Sequence, residues 1–375
     1  MKTTVILAAV FGAAGAILVS NAVSQQPPAA PKQGPGVQAS ADPREADLLK
    51  TCKTPPPAGR GFGGGGAKGG PAKGGPAKGG PGGPGGQAKG KGPAQTGPRE
   101  YNVTEIPGVI AAGQKWTDVW QGTGNNSDGI IATKDGGILI AQNDNSDVLK
   151  LDKDGKATVE YMGLNTSGSV AMNSKGTLFV LNRGYNPSIE ELAPKRQVFV
   201  NKMPNGDPLD CLGGVLNDMA AASNGGVYFT TGRLFYANPK GVVTMYGENL
   251  ATNGIILSPD EKHLFVTNGG ALAEFDVQKD GSLTNQREFG KWEGGGGDGS
   301  CFDAAGRMYV TSTAGIQVIS PEGKVLGVIP TPRGVITVTF SGPDRKTLYA
   351  VSNDRVNDTI MTIPMIAQGP KGRGK

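Results

Sequence analysis

The sequence predicts an all-β fold, a six-bladed β-propeller preceded by a signal peptide and a disordered Gly/Pro/Lys-rich linker. Three observations predict it. Six self-similar units recur between Ser127 and Ile363 at a period of roughly 40 residues, the length of a four-stranded blade. Each unit is built from short apolar runs bounded by Gly, Asp, Asn and Lys turns, with no long helical periodicity competing. Finally, many of the 62 glycines and 27 prolines crowd into the first hundred residues. That leaves about Tyr101 to Pro364 to build one large core.

The elements follow in order. Residues 1–22 read as a signal peptide: Lys2, the apolar run Val5 to Val19, and the small-residue site Ser20-Asn21-Ala22. Cleavage after Ala22 implies an exported protein, periplasmic or extracellular; the run is short for a membrane span, so an uncleaved anchor is the alternative. Residues 23–58 are Pro/Ala-rich, with a helix-capable piece around Pro43–Lys53. Residues 59–99 repeat "PAKGG" in a linker with polyproline character. Lys53 to Arg99 carries eight Lys or Arg and no acid, and the tail 366–375 adds three more bases. The pI of 8.9 therefore reflects appendages on an acidic body. The linker reads either as a solvated spacer or as a weak electrostatic contact to an anionic surface polymer. Without interleaved aromatics to stack bases, it predicts no specific nucleic-acid partner.

Residues 100–365 hold the propeller. Its units open with "SDGIIATKDGGILIAQ" (127–142), "SGSVAMNSKGTLFVLN" (167–182), "LNDMAAASNGGVYFTT" (216–231), "TNGIILSPDEKHLFVTN" (252–268), "GDGSCFDAAGRMYVTS" (297–312) and "GVITVTFSGPDRKTLYAVSN" (334–353). Each gives a short strand, a Gly/Asp/Lys turn and a second strand, and often a third ending in "DG" or "EG". Closing the ring needs one more outer strand, and "YNVTEI" (101–106) is the candidate.

In a propeller the first strand of each blade lines the central axis, so its opening residue faces one mouth of the channel. The equivalent openings are Asp128, Ser167, Asn217, Asn253, Asp298 and Ile336. Four of the six offer a hard oxygen. Asp128, Asn217, Asn253 and Asp298 are therefore the predicted metal ligands for one divalent cation, Ca2+ first, with Zn2+, Mg2+ or Mn2+ as alternatives. The competing reading is a repeated turn requirement, since Asp-Gly and Asn-Gly are common turn pairs. Asn217 escapes that reading because Asp218 follows it.

Other chemistries are narrowed. Three cysteines (Cys52, Cys211, Cys301) leave one over; Cys211 and Cys301 could pair, or remain buried thiols. His263, the one histidine, falls on a turn-to-second-strand segment away from the mouth, which disfavours a Ser-His-Asp triad or a His-built zinc site. Cys301 has no His partner and reads as packing. Trp116, Trp120 and Trp292 read as core or rim packing, and "GGGGDG" (294–299) as a tight turn into the fifth blade rather than a phosphate loop.

From about Gly122 to Thr362 the chain resembles the regucalcin-like and gluconolactonase family. The strings "LNDMAAASNGGVYFTT", "NGIILSPDEKHLFVTN", "DGSCFDAAGRMYVTSTAGIQVISPEGKVLGVIPTP" and "TFSGPDRKTLYAVS" carry that resemblance. It implies a channel cation on a Glu, two Asn and an Asp, which map onto Asp128 (in place of the Glu), Asn217, Asn253 and Asp298. It also implies hydrolysis of a small-molecule lactone or related ester by activated water, with Asn217 contacting substrate and Asp298, then Asp218, as candidate catalytic bases. The sugar-lactone members place an Arg two residues before the Asn of "ND"; here that position is Val215. The alternatives are a non-catalytic, metal-stabilised propeller that binds or scaffolds, or another reaction on the fold, such as phosphotriester hydrolysis or a strictosidine-synthase-like condensation.

Overall fold

The computed structural model describes residues 43–54, 99–354 and 356–371. The predicted signal peptide, nearly all of the basic linker and the last four residues lie outside the described residues. Among those described, no helix is long and apolar enough to cross a membrane.

Among the described residues, twenty-four strands form six four-stranded antiparallel sheets. The first strand, β1 (Thr117–Thr123), is set aside for the last blade. Blade 1 holds β2 (Ser127–Ala132), β3 (Ile138–Gln142), β4 (Asp147–Leu151) and β5 (Ala157–Tyr161); blade 2 holds β6 (Ser167–Met172), β7 (Leu178–Asn182), β8 (Ser188–Ala193) and β9 (Gln197–Val200). Blade 3 comprises β10 (Met219–Ala221), β11 (Val227–Thr230), β12 (Leu234–Ala237) and β13 (Val243–Tyr246). Blade 4 comprises β14 (Thr252–Leu257), β15 (His263–Asn268), β16 (Ala271–Val277) and β17 (Leu283–Lys291). Blade 5 runs through β18 (Gly297–Phe302), β19 (Met308–Ser312), β20 (Gly315–Ile319) and β21 (Val325–Ile329). Blade 6 has β22 (Thr337–Ser341), β23 (Thr347–Asn353) and β24 (Asn357–Pro364), with β1 paired outside β24. The inner strands β2, β6, β10, β14, β18 and β22 each touch the next around the axis, and β22 returns to β2. The ring is closed.

The period-2 pattern of each strand explains the core. Successive side chains point to opposite faces of a sheet, and here each face meets a neighbouring blade. In β7, Leu178 and Val180 pack with Ile131, Leu139 and Val148 of blade 1, whereas Phe179 and Leu181 pack with Met219, Val227 and Phe229 of blade 3. Six such apolar layers lie between six pairs of blades. Strands such as β3 and β7 are therefore buried throughout, while the outermost strand β5 is largely exposed.

Two expectations are corrected. Blade 6 is closed by "TDVWQGT", whose register runs from Thr117 opposite Thr362 to Thr123 opposite Asn357, and not by "YNVTEI". The latter buries Val103 and Ile106, with Val109 and Ile110, in the layer between blades 5 and 6. The disulfide joins Cys52 to Cys211, and Cys301 lies buried in β18. The bond fastens a short strap, which begins as helix α1 (Pro43–Leu49), to a 3-10 turn (Leu209–Leu212) ahead of blade 3. The strap is also held by Asp207, whose Oδ2 accepts from the Lys53 backbone N–H at 2.9 Å, and by Arg44, which lies 4.5 Å over the Tyr185 ring.

Candidate functional site at the channel mouth

All inner strands open at the same mouth, and a local irregularity aims their residues into it. In β2, β14 and β18 the register with the second strand shifts between Ser127 and Ile130, Thr252 and Ile255, and Gly297 and Ser300. A bulge leaves one residue out of the ladder and re-aims its side chain. The second residues of these strands, Asp128, Asn253 and Asp298, sit in those bulges half-buried, with Asn217 at the same level ahead of β10. The glycines that follow are not turn residues. A Cβ on Gly254 would strike the carbonyl of Asp298 in the next blade, so glycine here allows adjacent inner strands to approach closely. The repeated-turn reading is thereby set aside.

The four predicted ligands are not placed alike. The side-chain amides of Asn217 and Asn253 meet end to end, Nδ2 of the first donating to Oδ1 of the second. Asp298 and Asn253 line a cavity of about 590 Å³ at this mouth, together with Ser312, Thr313, Arg333 and Asn353. Asp128 is engaged elsewhere: its Oδ2 accepts from Arg183 Nη1 at 2.7 Å and from Asn143 Nδ2 at 3.3 Å. Among the described residues no group of three or more His, Cys, Asp or Glu is assembled for a metal. What converges is one carboxylate and two amide oxygens, with a second carboxylate tied to a guanidinium. Asn217, Asn253 and Asp298 could hold a hard cation completed by water. Asp128, by contrast, commits its Oδ2 to a cation of the chain's own, Arg183.

Asp218 faces away from the mouth. It is buried, and its carboxylate accepts from Ser169 Oγ at 2.6 Å, the Met219 N–H at 2.9 Å and the Ile255 N–H at 3.1 Å. It thus ties the inner strands of blades 2, 3 and 4 together. His263 opens β15 at the end remote from the mouth, beside Glu274 at 3.0 Å and near Arg287. Cys301 lines a separate cavity of about 240 Å³ with Met172, Ile256 and Phe340, where the inner strands end. Trp116 and Trp292 are buried in inter-blade layers, and Gly294, Gly295 and Gly296 all adopt positive φ leading into β18.

Sequence reasoning missed Arg183, just past β7. The phase that located the ligands follows first strands, whereas Arg183 reaches the mouth from the end of a second one. It also placed blade 2 one residue early: the register makes Gly168, not Ser167, the equivalent of Asp128. A second neglected group is Asp358 on β24, fully buried, accepting from the Ser127 N–H at 2.8 Å. Burial pushes its carboxyl up to about 7.

Comparison with known proteins agrees with this architecture. Residues 164–354 match the family model described as SMP-30/Gluconolactonase/LRE-like region. A 6-deoxy-6-sulfogluconolactonase of Pseudomonas putida is 36% identical over 117 residues, which span 29% of this chain and 40% of that protein. A lactonase of Staphylococcus saprophyticus is 25% identical over 304 residues, covering 71% of this chain and 90% of the relative. Among solved structures, a calcium-binding regucalcin from Agrobacterium tumefaciens superposes with a TM-score of 0.55 at 15% identity, over 68% of this chain and 96% of its own, and shares the fold. With its family signature running from blade 2 into blade 6 of a closed six-bladed ring, the chain belongs to the SMP-30/gluconolactonase/LRE-like family.

Proposed function

We propose that the protein hydrolyses a lactone or related ester at this mouth, assisted by a divalent cation on Asn217, Asn253 and Asp298. The observation that carries the reading is convergence: three oxygen-bearing side chains from blades 3, 4 and 5 meet at one half-buried opening, in a family whose named relatives here are lactonases. Hard oxygens without His or Cys favour Ca2+ over Zn2+, with Mg2+ and Mn2+ as the competitors to test. When bound, such an ion supplies polarisation of the acyl carbonyl and a more acidic water.

The chain's own groups do the rest. Asn217 orients the acyl group from the blade 3 side. Asp298 accepts the proton of the attacking water and returns it to the leaving alkoxide, so that water adds to the carbonyl carbon, the C–O bond of the ring breaks, and a hydroxy acid is released. Asp218, already holding three donors, fixes the strand behind Asn217 and is a positioning residue. The Cys52–Cys211 disulfide accords with an exported location, where such bonds persist.

The test is metal analysis of the purified protein followed by a lactone and ester panel with and without chelator. Chelation is expected to abolish turnover, and Asp298→Ala to lower kcat by roughly a hundredfold or more, the scale of losing a general base. Full activity after chelation would sink the mechanism. The rival reading, a metal-stabilised binding propeller, is favoured by the commitment of Asp128 to Arg183. It predicts no turnover on any lactone and a cation-dependent melting temperature.

A further inference from the structure

We propose that Arg183, braced by Asp128, is the substrate-binding cation of this mouth, and that the substrate is therefore a lactone or ester bearing an acidic substituent. This rests on the hydrolytic reading above and narrows it to a substrate class.

Position comes first. Blades 1, 4 and 5 send Asp128, Asn253 and Asp298 into the mouth from the second residue of the inner strand; blade 2 has Gly168 there. The guanidinium of Arg183 fills the vacant place. A Cβ on residue 168 would overlap its Nε, Nη2 and Cζ, so only glycine lets the group lie against the inner strand. Gly168 does not have positive φ, and its need for glycine is therefore the guanidinium and not the backbone.

The group is also fixed in place with donors to spare. Nη1 donates to Asp128 Oδ2 at 2.7 Å and Nη2 to the Asn217 carbonyl at 2.8 Å, while Nε is buried with no partner. A guanidinium has five N–H donors, so these two bonds leave three unspent beside a candidate ligand. Nε is pressed against Gly168 and out of reach, so the Nη hydrogens that remain are the ones an incoming carboxylate, sulfonate or phosphate oxygen can take.

Charge balance points the same way. With Arg183 neutralising Asp128, a divalent ion on Asn217, Asn253 and Asp298 is balanced by Asp298 alone, leaving a positive excess facing the substrate. The charged groups of the adjoining cavity balance one another and leave that excess standing. Arg99 stands against Asp354, which keeps its charge under the N–H bonds of Val356 and Asn357. Arg333 is paired with Asp118 at 2.9 Å, and Asp358 is buried against Ser127.

The experiment compares gluconolactone with glucarolactone, in which a terminal carboxylate replaces a hydroxymethyl group, and with a phosphorylated gluconolactone as a third arm. Wild type, Arg183→Gln, Gly168→Ala and Asp128→Asn are measured for kcat and KM, and calorimetry gives their cation affinity beside that of Asp298→Asn. The acidic lactones should be preferred by roughly tenfold or more in kcat/KM, with the better of the two arms naming the anion. Arg183→Gln and Gly168→Ala should both erase the preference, chiefly through KM. Asp128→Asn should leave cation affinity within about threefold of wild type, where Asp298→Asn loses more than tenfold. A wild-type preference for the neutral lactone overturns the proposal, as does equal loss on both substrates in Arg183→Gln, or a cation loss in Asp128→Asn matching Asp298→Asn.

A turnover-free measurement separates this proposal from the reading beneath it. Glucarate, the ring-opened dicarboxylate, should bind wild type at least about tenfold more tightly than Arg183→Gln by calorimetry. Equal binding overturns the role of Arg183 even if the lactones are hydrolysed. A tenfold difference upholds Arg183 as the anion-binding group even if hydrolysis fails and only the catalytic reading falls.

Discussion

Asp298 and Asp218 both stand at the opening of inner strands, yet their surroundings assign them opposite tasks. Asp298 lines the open cavity; Asp218 spends its carboxylate on one hydroxyl and two backbone N–H groups from three blades. Asp218→Asn keeps the shape but turns one acceptor into a donor facing N–H or O–H groups. It should cost roughly 1–3 kcal/mol of stability in urea denaturation while the folded fraction keeps its cation affinity. If the variant is as stable as wild type but inactive, Asp218 is the base after all. The sequence carried Asp128, Asn217, Asn253 and Asp298 by phase, because a propeller repeats the same strand position around one axis. Phase could not show that Asp128 is paired with an arginine: its partner Arg183 enters from the end of a second strand and lies where blade 2 has only a glycine.

At the scale of elements, the unit grammar was legible because four-stranded blades bury both faces of their second strands, leaving short unbroken apolar runs between turns. Closure was less legible. "YNVTEI" has the β-branched and aromatic content of a strand, but packs as an irregular plug. "TDVWQGT" forms the strand through its register with β24, a long-range pairing that propensity does not encode. The disulfide was hidden for a related reason. Cys52 and Cys211 are 159 residues apart, and spacing says nothing about a strap that returns to the rim between blades 2 and 3. Cross-linking so long a loop restricts the unfolded chain strongly. Cys52→Ser should therefore lower stability by roughly 2–4 kcal/mol and expose 43–54 to protease, even though all six blades close without it. Melting that is indifferent to both reductant and the substitution would show that the strap adds nothing to the fold.

For the whole molecule, the weak point of a ring is the seam where its ends join, and here a buried acid sits on it. Strand β1 leaves blade 6, turns through Gly124 to Asn126, and enters blade 1 as β2; Asp358 of blade 6 holds the first N–H of that strand, Ser127, at 2.8 Å. The other carboxyl oxygen of Asp358 is buried with no partner, and burial raises its pKa from 3.8 to about 7 against the pull of the N–H bonds. Asp147, at the start of β4 in the same blade 1, is raised by burial to about 6. The sign follows from proton counting. Between the unfolded and folded values the native state keeps a proton that the unfolded chain has released, so stability falls as pH rises. The stabilising contribution is complete below about 4 and gone above about 7, the two values bounding Asp358. Its size is at most roughly 4 kcal/mol, since each tenfold change in proton affinity is worth about 1.4 kcal/mol and relaxation of the seam reduces it. Urea unfolding measured across that interval should show stability declining toward neutral pH, and Asp358→Asn, which cannot ionise, should flatten most of the slope. A wild-type profile that rises over the same interval would mean that Asp358 is ionised in the native ring, with its second oxygen satisfied by a group supplied at the seam.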